Sequence, residues 1–587
     1  MNIRLWFVAA LAWALVGCEA GSGTGDIGLS VRALGSCPGV SGSNLAGAID
    51  RVRVIVTSVD SDTGELYNSV DKTFGFRSSV SVGGIPVGTN HVVTLLGFEA
   101  GKTEPTYFAR ERRVRIQQDA TTKLQMVLAA LGRYTCITPP TAFTHRVFPT
   151  VTVLGDGSVL ITGGFTAVTP GSPTTLTGAS DLAFLYHAET GGPLEPLPNP
   201  MTEPRAAHGA VFVPVTEKDG LKDENGSPIG TNGIVLLFGG LKKLELKADG
   251  VGFATADALN TYEIYDVATK TFHPATRDDK GQAQQMKLKR AFPLVARLFD
   301  NSVLVAGGGQ LPADANQDYA KADIWAPWVA YGENRGGLQL FAGNAPVMQR
   351  QHNGAAIAKL EDTAEGLSRY VIVGGTPKVD ANNPNVEIFT QSSQQDKGVS
   401  GTFTPLATDG NALPPLFFPA IAPLSGKRFL LVGGVGYKGQ AFQNPVDKAW
   451  VLTFDRDAGG KDKLTITPVA QVSAGCGARY FHSAHSTYEG DRAVILGGFA
   501  DFAGPANVPN CRFDPERPDP ADPSKTVPAS ITPISESAAF AAHRAESLPD
   551  DSVVVIGGMT NRAAFPEETG LAQVFVPPTV KLDPVAQ

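Results

Sequence analysis

The chain has 587 residues, enough for two or three domains, and a formal net charge of −8 with no block of basic residues. Nucleic-acid surfaces need clustered lysine and arginine to displace counterions, so this charge distribution predicts no nucleic-acid partner. The 65 glycines and 42 prolines favour an all-β protein with many short strands and turns over one built from long helices.

The first 17 residues have the pattern of a signal peptide. A positive start (residues 1–4) precedes an apolar run over residues 5–16, which is too short to span a bilayer. Leu15-Val16-Gly17-Cys18 then resembles a bacterial lipobox, in which the cysteine is lipidated and becomes N-terminal after cleavage. The resemblance implies a lipoprotein of the bacterial cell envelope, anchored in the bilayer through acylated Cys18. The alternative is an ordinary signal peptide in which Cys18 is incidental.

The outer membrane is the expected location, with the protein facing either the periplasm or the cell surface. Residues 18–25 are the lipidated cysteine and a Gly/Ser-rich flexible tether.

Residues 26–132 are predicted to form a small antiparallel β-sandwich domain, Ig-like or transthyretin-like. Residues 51–57 alternate polar and apolar side chains, as a half-buried strand does. Ile85-Pro86-Val87-Gly88 resembles the turn of transthyretin-like domains. The predicted strands are residues 26–34, 51–59, 80–82, 91–98, 107–117 and 123–128. We interpret the domain as a spacer and packing partner for the rest of the chain.

Residues 133–587 repeat one element seven times, at intervals of roughly 60 to 75 residues: a short apolar strand that ends in Gly-Gly. A strand with an early His or Phe precedes each copy, and a strand with an aromatic end, such as residues 262–266, follows it. The repeat glycines, which we interpret as structural, are Gly163, Gly164, Gly239, Gly240, Gly307, Gly308, Gly374, Gly375, Gly433, Gly434, Gly497, Gly498, Gly557 and Gly558.

This unit resembles the kelch repeat, whose four short antiparallel strands form one blade of a propeller. Seven copies imply a seven-bladed kelch-like β-propeller over residues 133–587, similar to the central domain of galactose oxidase. Either residues 579–582 or a strand near residues 133–137 can complete the last blade, and we favour the second.

Histidines recur with the repeat. His208, His352, His482 and His543 are predicted at equivalent positions at the channel mouth, with His145 as a possible fifth. Convergent imidazoles can form a metal or proton site. A residue that recurs with the repeat is better explained by the repeat, so we interpret these histidines as structural hydrogen-bonding groups between blades and predict no metal. Arg205 and Arg479 are interpreted as inter-blade fasteners on the same grounds.

Four cysteines remain after Cys18 is assigned to lipid, an even number for an oxidising compartment. Four cysteines allow three pairings. Blade topology places Cys476 and Cys511 on one face of the sixth unit, which favours a 476–511 disulfide and leaves Cys37 to pair with Cys136. The chain contains no Cys-x-x-Cys motif, which gives zinc and redox chemistry little support.

Long loops follow several Gly-Gly pairs and share one face of the predicted propeller, here called the long-loop face. These loops are residues 165–181, 241–260, 310–321 and 499–510. Long loops on a rigid scaffold are where binding usually resides. The predicted function is therefore non-catalytic binding of a protein or glycan partner at the cell envelope, with no catalytic residues and no cofactor.

Two alternatives remain: a purely structural envelope component, and a copper-dependent or carbohydrate-active oxidase that uses the long-loop face. Kelch-type propellers include copper radical oxidases resembling galactose oxidase, which require a tyrosine cross-linked to a cysteine. The cysteines of this chain are better used as disulfides, and the sequence assigns no such set of residues.

Overall fold

The protein is all-β. The computed structural model describes residues 23–35, 48–60, 63–247, 252–278, 280–310, 318–331, 334–339, 345–376, 385–394, 398–406, 413–438, 441–457, 459–487, 491–501, 506, 508–538, 540–561, 572–583 and 585. Within these ranges no helix is long and apolar enough to cross a membrane. The predicted signal peptide, Cys18 and Cys37 lie outside the described residues.

The N-terminal part of the chain forms one seven-stranded sheet. Its strands are β1 (Thr24–Ala33), β2 (Ile49–Val59), β3 (Leu66–Gly75), β4 (Ser79–Pro86), β5 (Gly88–Glu99), β6 (Tyr107–Ile116) and β7 (Thr121–Ala130). The strand order is β3-β2-β5-β6-β7-β1-β4, and the edge strands β3 and β4 contact each other. The sheet therefore curls around its own apolar core until it is nearly closed.

This arrangement corrects the predicted antiparallel sandwich in two respects. There is one curled sheet where we expected two facing sheets, and β1 pairs with β7 in parallel. The sequence also missed β3, an edge strand that is mostly exposed and therefore lacks the apolar alternation of a half-buried strand.

The remaining strands fill the rest of the chain. The first half comprises β8 (Tyr134–Cys136), β9 (Thr150–Val153), β10 (Val159–Thr162), β11 (Phe165–Thr169), β12 (Thr174–Ala179), β13 (Ala183–Tyr186), β14 (Glu195–Pro196), β15 (Gly209–Val213), β16 (Ile234–Phe238), β17 (Leu241–Leu246), β18 (Phe253–Ala258), β19 (Tyr262–Asp266), β20 (Thr271–Pro274), β21 (Leu294–Arg297), β22 (Val303–Ala306), β23 (Asp323–Tyr331) and β24 (Asn334–Leu338). A 3₁₀ turn, Glu217–Asp219, precedes β16.

The second half comprises β25 (Asn353–Asp362), β26 (Ser368–Thr376), β27 (Val386–Gln394), β28 (Gly398–Pro405), β29 (Leu416–Phe417), β30 (Ala420–Leu424), β31 (Arg428–Val432), β32 (Val435–Lys438), β33 (Ala441–Pro445), β34 (Ala449–Arg456), β35 (Asp462–Pro468), β36 (Gln471–Val472), β37 (Ser483–Ser486), β38 (Ala493–Leu496), β39 (Val508–Asp514), β40 (Arg517–Asp519), β41 (Asp522–Val527), β42 (Ser530–Ala538), β43 (Arg544–Ser547), β44 (Val553–Ile556) and β45 (Ala572–Phe575).

Seven sheets in the described residues share one antiparallel pattern, in which the Gly-Gly strand is second and lies between the first and third strands. In chain order these sheets, here called units 1 to 7, are β9-β10-β13-β14, β15-β16-β19-β20, β21-β22-β23-β24, β25-β26-β27-β28, β30-β31-β34-β35, β37-β38-β39-β42 and β43-β44-β45-β8. The Gly-Gly strands are almost wholly buried, which explains their unbroken apolar sequences.

The units form a closed cycle. Their first strands contact one another in the order β9, β15, β21, β25, β30, β37, β43 and back to β9. Unit 7 takes its fourth strand from β8, which precedes unit 1 in the chain and pairs antiparallel with β45. The prediction that an N-terminal segment completes the last unit is therefore confirmed, and the architecture is propeller-like.

Additional strands enlarge this ring in three places. The long loops of units 1 and 2 together form a four-stranded sheet, β11-β12-β17-β18, here called the accessory sheet. Unit 5 contributes a three-stranded sheet, β29-β32-β33, in which β32 and β33 come from the same kind of loop and β29 from the segment that precedes the first strand β30. The β40-β41 hairpin extends the connection between the third and fourth strands of unit 6.

Candidate functional site

Buried arginines bind the Gly-Gly pair in units 1, 2, 3 and 6. The side chains of Arg146, Arg205, Arg290 and Arg479 are at most 1% exposed, and each donates from Nη1 to the carbonyl of the first glycine in its own unit. The backbone carbonyl of the same arginine reaches the preceding unit. In this way the Arg205 carbonyl accepts from Gly164 N–H at 3.0 Å, and the Arg146 carbonyl accepts from Gly558 N–H at 2.7 Å.

This geometry corrects the interpretation of Arg205 and Arg479 as inter-blade fasteners, because their side chains bind within their own units while their backbones join neighbours. The sequence analysis overlooked Arg146, Arg290 and Arg350, which occupy the same position. The sequence does carry a signal for them, because Arg146, Arg290 and Arg350 each stand three or four residues before the first strand of their unit, as Arg205 and Arg479 do. In the structure each of the five arginines lies two residues before a residue with positive φ.

The charge of these arginines is balanced differently from unit to unit. Arg205 forms a buried ion pair with Glu263 (2.9 Å), and Arg290 pairs with Asp323 (3.1 Å). Arg146 instead lies over the rings of Phe143 and Phe184. Burial lowers the pKa of Arg146 and of Arg479 to about 10, so both remain charged at neutral pH.

Three of the predicted histidines bridge neighbouring units. His208 Nε2 lies 2.8 Å from Thr162 Oγ1, and His543 Nε2 lies 3.0 Å from Ser483 Oγ. His482 Nε2 donates to the Val432 carbonyl at 3.2 Å. Burial lowers the pKa of His543 to about 3 and the pKa of His208 and His482 well below the ordinary value. Neutral imidazoles held between sheets favour the structural interpretation.

The fourth histidine corrects the predicted register. His352 has positive φ and so matches the residue that precedes His208, His482 and His543 in their units. Its fully buried ring contacts the Gly374 carbonyl at 2.6 Å and Glu387 Oε1 at 3.0 Å, both within its own unit. His145 precedes the repeat arginine Arg146, so it is not a fifth member of the set.

Four phenylalanines close the ring axis at the Gly-Gly end. Phe148, Phe292, Phe418 and Phe481 all have positive φ (51–53°), a conformation that is costly for a bulky residue. Their ring centroids lie 4.5–5.1 Å apart around a closed square. Phe253 of the accessory sheet packs on Phe292 and Phe418 from outside.

A cavity of about 590 Å³ lies on the inner side of these four rings. The first strands of the units line it as far as Ser486 and Ser547, the last residues of β37 and β43. The cavity therefore extends from the aromatic closure towards the face opposite the long loops. His208, His482 and His543 contribute to its lining, together with the buried His485.

The accessory sheet presents a polar surface on the long-loop face. One side of it packs Leu176, Leu244 and Ala256 onto the ring. The other side is at least partly exposed and carries a cross-strand row running from Thr169 through Thr175 and Glu245 to Thr255, with Thr177, Lys243 and Asp257 beside it. Hydrogen bonds from Lys243 and Thr255 lower the pKa of Glu245.

The described cysteines are all in disulfides. Cys476 and Cys511 are joined to each other, and Cys136 is also disulfide-bonded. Pairing of Cys136 with Cys37 stays a prediction, because Cys37 lies outside the described residues. The described part of the chain offers no free thiol for a tyrosine–cysteine cross-link, and the ring axis on the long-loop side is filled by phenylalanines. These residues do not fit a copper radical site.

One group of three metal-capable side chains occurs among the described residues: Asp223, Glu224 and His273. His273 Nδ1 lies 3.1 Å from Glu224 Oε2, and Asp223 accepts backbone hydrogen bonds from its own turn. The group is partly exposed and distant in the chain from the repeat histidines. Its acidic residues are already engaged locally.

No protein-family model and no curated protein matches the chain. Solved structures resemble it weakly. A fungal alcohol oxidase of the AA5 family in complex with copper is 14% identical over 76% of each chain, with a TM-score of 0.46. YjhT is 11% identical over 68% of this chain and all of its own, with a TM-score of 0.36. TM-scores below 0.5 support no inference about function.

Proposed function

We propose that the protein is a membrane-anchored cell-envelope lipoprotein in which units 1 to 7 form a seven-bladed kelch-like propeller. The propeller binds a protein or glycan partner without catalysis. The observation that carries this proposal is the accessory sheet, which enlarges the long-loop face with a polar, partly exposed β-surface on a rigid ring. Threonine hydroxyls beside Lys243, Glu245 and Asp257 offer both donors and acceptors to a polar partner.

The cysteines support the proposed location in the cell envelope. Two disulfide-bonded sites, Cys476–Cys511 and Cys136, are expected in an oxidising compartment such as the bacterial periplasm or cell surface. The lipobox-like Leu15-Val16-Gly17-Cys18 supplies the anchor. Intact mass of the membrane-extracted protein tests this part: a diacyl or triacyl increment that is lost in Cys18→Ser is expected, and an unlipidated product would contradict the anchor.

Charge substitutions on the accessory sheet test the binding surface. Thr175→Lys with Thr255→Lys places two cations on its outer side, where both residues are partly exposed. We expect this variant to stop capturing the wild-type partner from envelope extracts or glycan arrays. Asn225→Lys, exposed in the turn before β16, is the control and should bind normally. Normal binding by the double variant together with loss in the control would place recognition on the opposite face and refute this surface.

The oxidase alternative has its own test. One stoichiometric copper in protein purified after copper supplementation, with oxidase activity towards alcohols or sugars, would overturn the non-catalytic proposal. Absence of tightly bound copper under those conditions is the expected result, because the described cysteines are already paired.

A further inference from the structure

The cavity on the ring axis has the size and enclosure of a small-molecule site. Its volume of about 590 Å³ falls within the range of roughly 300–1,000 Å³ typical of ligand pockets. In the described part of the chain the four phenylalanine rings close one end, so a ligand enters from the face opposite the long loops. This site is separate from the accessory sheet and does not depend on the function proposed above.

The two halves of the cavity wall differ in chemistry. Units 3, 4 and 5 contribute only apolar side chains and backbone, including Val295, Ile357 and Ile421. The other half, formed by units 6, 7, 1 and 2, carries the polar lining residues Ser486, Ser547 and Thr150. A ligand that fits both halves must be amphipathic, because a polar group against the apolar half would be desolvated without a partner.

The polar half carries one ion pair. Arg544 donates from Nε (3.1 Å) and Nη2 (2.5 Å) to Oε1 of Glu546, and both side chains line the cavity. They are 54% and 33% exposed. Among the described residues nothing bonds to Arg544 Nη1 or Glu546 Oε2, so one donor and one acceptor of opposite charge are available side by side. The lining histidines His208, His482, His485 and His543 are neutral, because burial lowers the pKa of each.

We propose that this cavity binds an apolar α-amino acid in its zwitterionic form. The ligand carboxylate takes a charge-assisted hydrogen bond from Arg544 Nη1, and its ammonium group donates to Glu546 Oε2. The apolar side chain lies against Val295, Ile357 and Ile421. The pair has no net charge, so a zwitterion preserves neutrality in the cavity, whereas a simple anion or cation leaves one partner uncompensated.

Isothermal titration of the purified full-length protein with L-phenylalanine tests the proposal. A dissociation constant on the order of 100 µM or tighter is expected for a ligand of this size. N-acetyl-L-phenylalanine amide has the same side chain without either charge, and L-serine has both charges without the apolar body. Both are expected to bind at least about tenfold more weakly.

Variants locate the site. Arg544→Leu and Ile357→Asn are each expected to weaken L-phenylalanine binding by about tenfold or more. Arg512→Leu is the matched control. Like Arg544, Arg512 is about half exposed and pairs with a carboxylate two residues further along the chain (Asp514, 3.0 Å). Unlike Arg544, it lies on the third strand of unit 6 and outside the cavity lining. This control should bind as the wild type does.

Arg544→Lys provides a second readout if Arg544→Leu does not fold, because it keeps the charge but shortens the donor and should reduce affinity without changing the melting temperature. Three results would overturn the proposal: no L-phenylalanine binding by the folded wild type, equal affinity for N-acetyl-L-phenylalanine amide, or unchanged affinity in every cavity variant.

Discussion

At the scale of single residues, the Gly-Gly pairs are a packing requirement. Gly163 has φ of 64° and Gly164 has φ of 97°, both in the region that side chains disfavour. A Cβ on Gly163 would lie 2.1 Å from the Arg205 carbonyl oxygen of the next unit. The two glycines therefore allow one unit to approach the next closely enough for the Gly164 N–H to bond that same carbonyl.

Gly163→Ala separates this close approach from the cost of positive φ. We expect a loss of about 3 kcal/mol in the free energy of unfolding, from left-handed strain and from displacement of the Arg205 backbone. Gly157→Ala is the control, since Gly157 also has positive φ (85°) but nothing lies within 4 Å of the added methyl group. It should lose about 1 kcal/mol. Equal losses in urea titrations of the two variants would refute the packing argument.

The buried histidines predict acid sensitivity. His485 and His543 have a pKa of about 3 in the folded protein because burial disfavours the charged imidazole. The unfolded chain, with a pKa near 6.5, binds more protons between these values, so stability falls as pH drops from about 6.5 towards 3. Each histidine contributes about 1.4 kcal/mol per pH unit in that window. The double variant His485→Gln, His543→Gln should flatten the pH dependence of the unfolding midpoint; an unchanged slope would contradict the assignment.

At the scale of elements, one position of the repeat is occupied by chemically different residues in different units. This position lies on the third strand and pairs with the second-strand residue two positions before the first glycine of the Gly-Gly pair. It is occupied by Phe184 in unit 1, Glu263 in unit 2 and Cys511 in unit 6. Each binds the residue three before the repeat arginine: Phe184 packs on Phe143, Glu263 accepts from Thr202, and Cys511 is bonded to Cys476. The disulfide of unit 6 thus takes the place of the contact that, in units 1 and 2, holds the entry segment to the third strand; we call this contact the bracket.

Removing the bracket of unit 6 should destabilise the protein. Cys476→Ser with Cys511→Ser opens a loop of 35 residues and is expected to lower the free energy of unfolding by about 3 kcal/mol. Cys476→Thr with Cys511→Glu copies unit 2, where Glu263 accepts from Thr202 and pairs with Arg205. The new carboxylate can then pair with Arg479, which already contacts the Cys511 sulfur. This variant should melt above the serine variant. If it melts below, the two brackets are not interchangeable.

The sequence predicted those parts of the architecture that recur as a repeated sequence pattern. The buried Gly-Gly strands follow from apolar runs and turn residues that local physics dictates. The donation of β8 was favoured for a different reason, because closure by a distant segment locks a propeller. The four-phenylalanine closure was not predictable, because it forms between residues up to 333 positions apart whose only local signature is positive φ. The accessory sheet escaped prediction as well: its strands come from loops of two units and are stabilised by pairing across units.

At the scale of the whole molecule, the N-terminal sheet and the ring are interlocked. Arg110 on β6 pairs with Asp551 in the turn of unit 7 at 2.7 Å, and both side chains are at most 4% exposed. Arg112 reaches the same carboxylate. Ile55 and Phe108 of the N-terminal sheet share an apolar core with Val574 of β45. The contact lies at the unit that β8 completes, so the sheet is fixed to the point of ring closure.

This interlock predicts cooperative unfolding of the two parts in the wild type. Asp551→Asn removes the carboxylate charge and leaves Arg110 buried, which is expected to cost about 3–5 kcal/mol. Asparagine is chosen because Asp551 has φ of 70°, a conformation that asparagine also tolerates. Calorimetry of the variant should split one transition into two, with the N-terminal sheet melting first. Asp71→Ala breaks the exposed Arg53–Asp71 pair and should cost less than about 1 kcal/mol without splitting the transition. A single unshifted transition in Asp551→Asn would show that the apolar contacts alone couple the two parts.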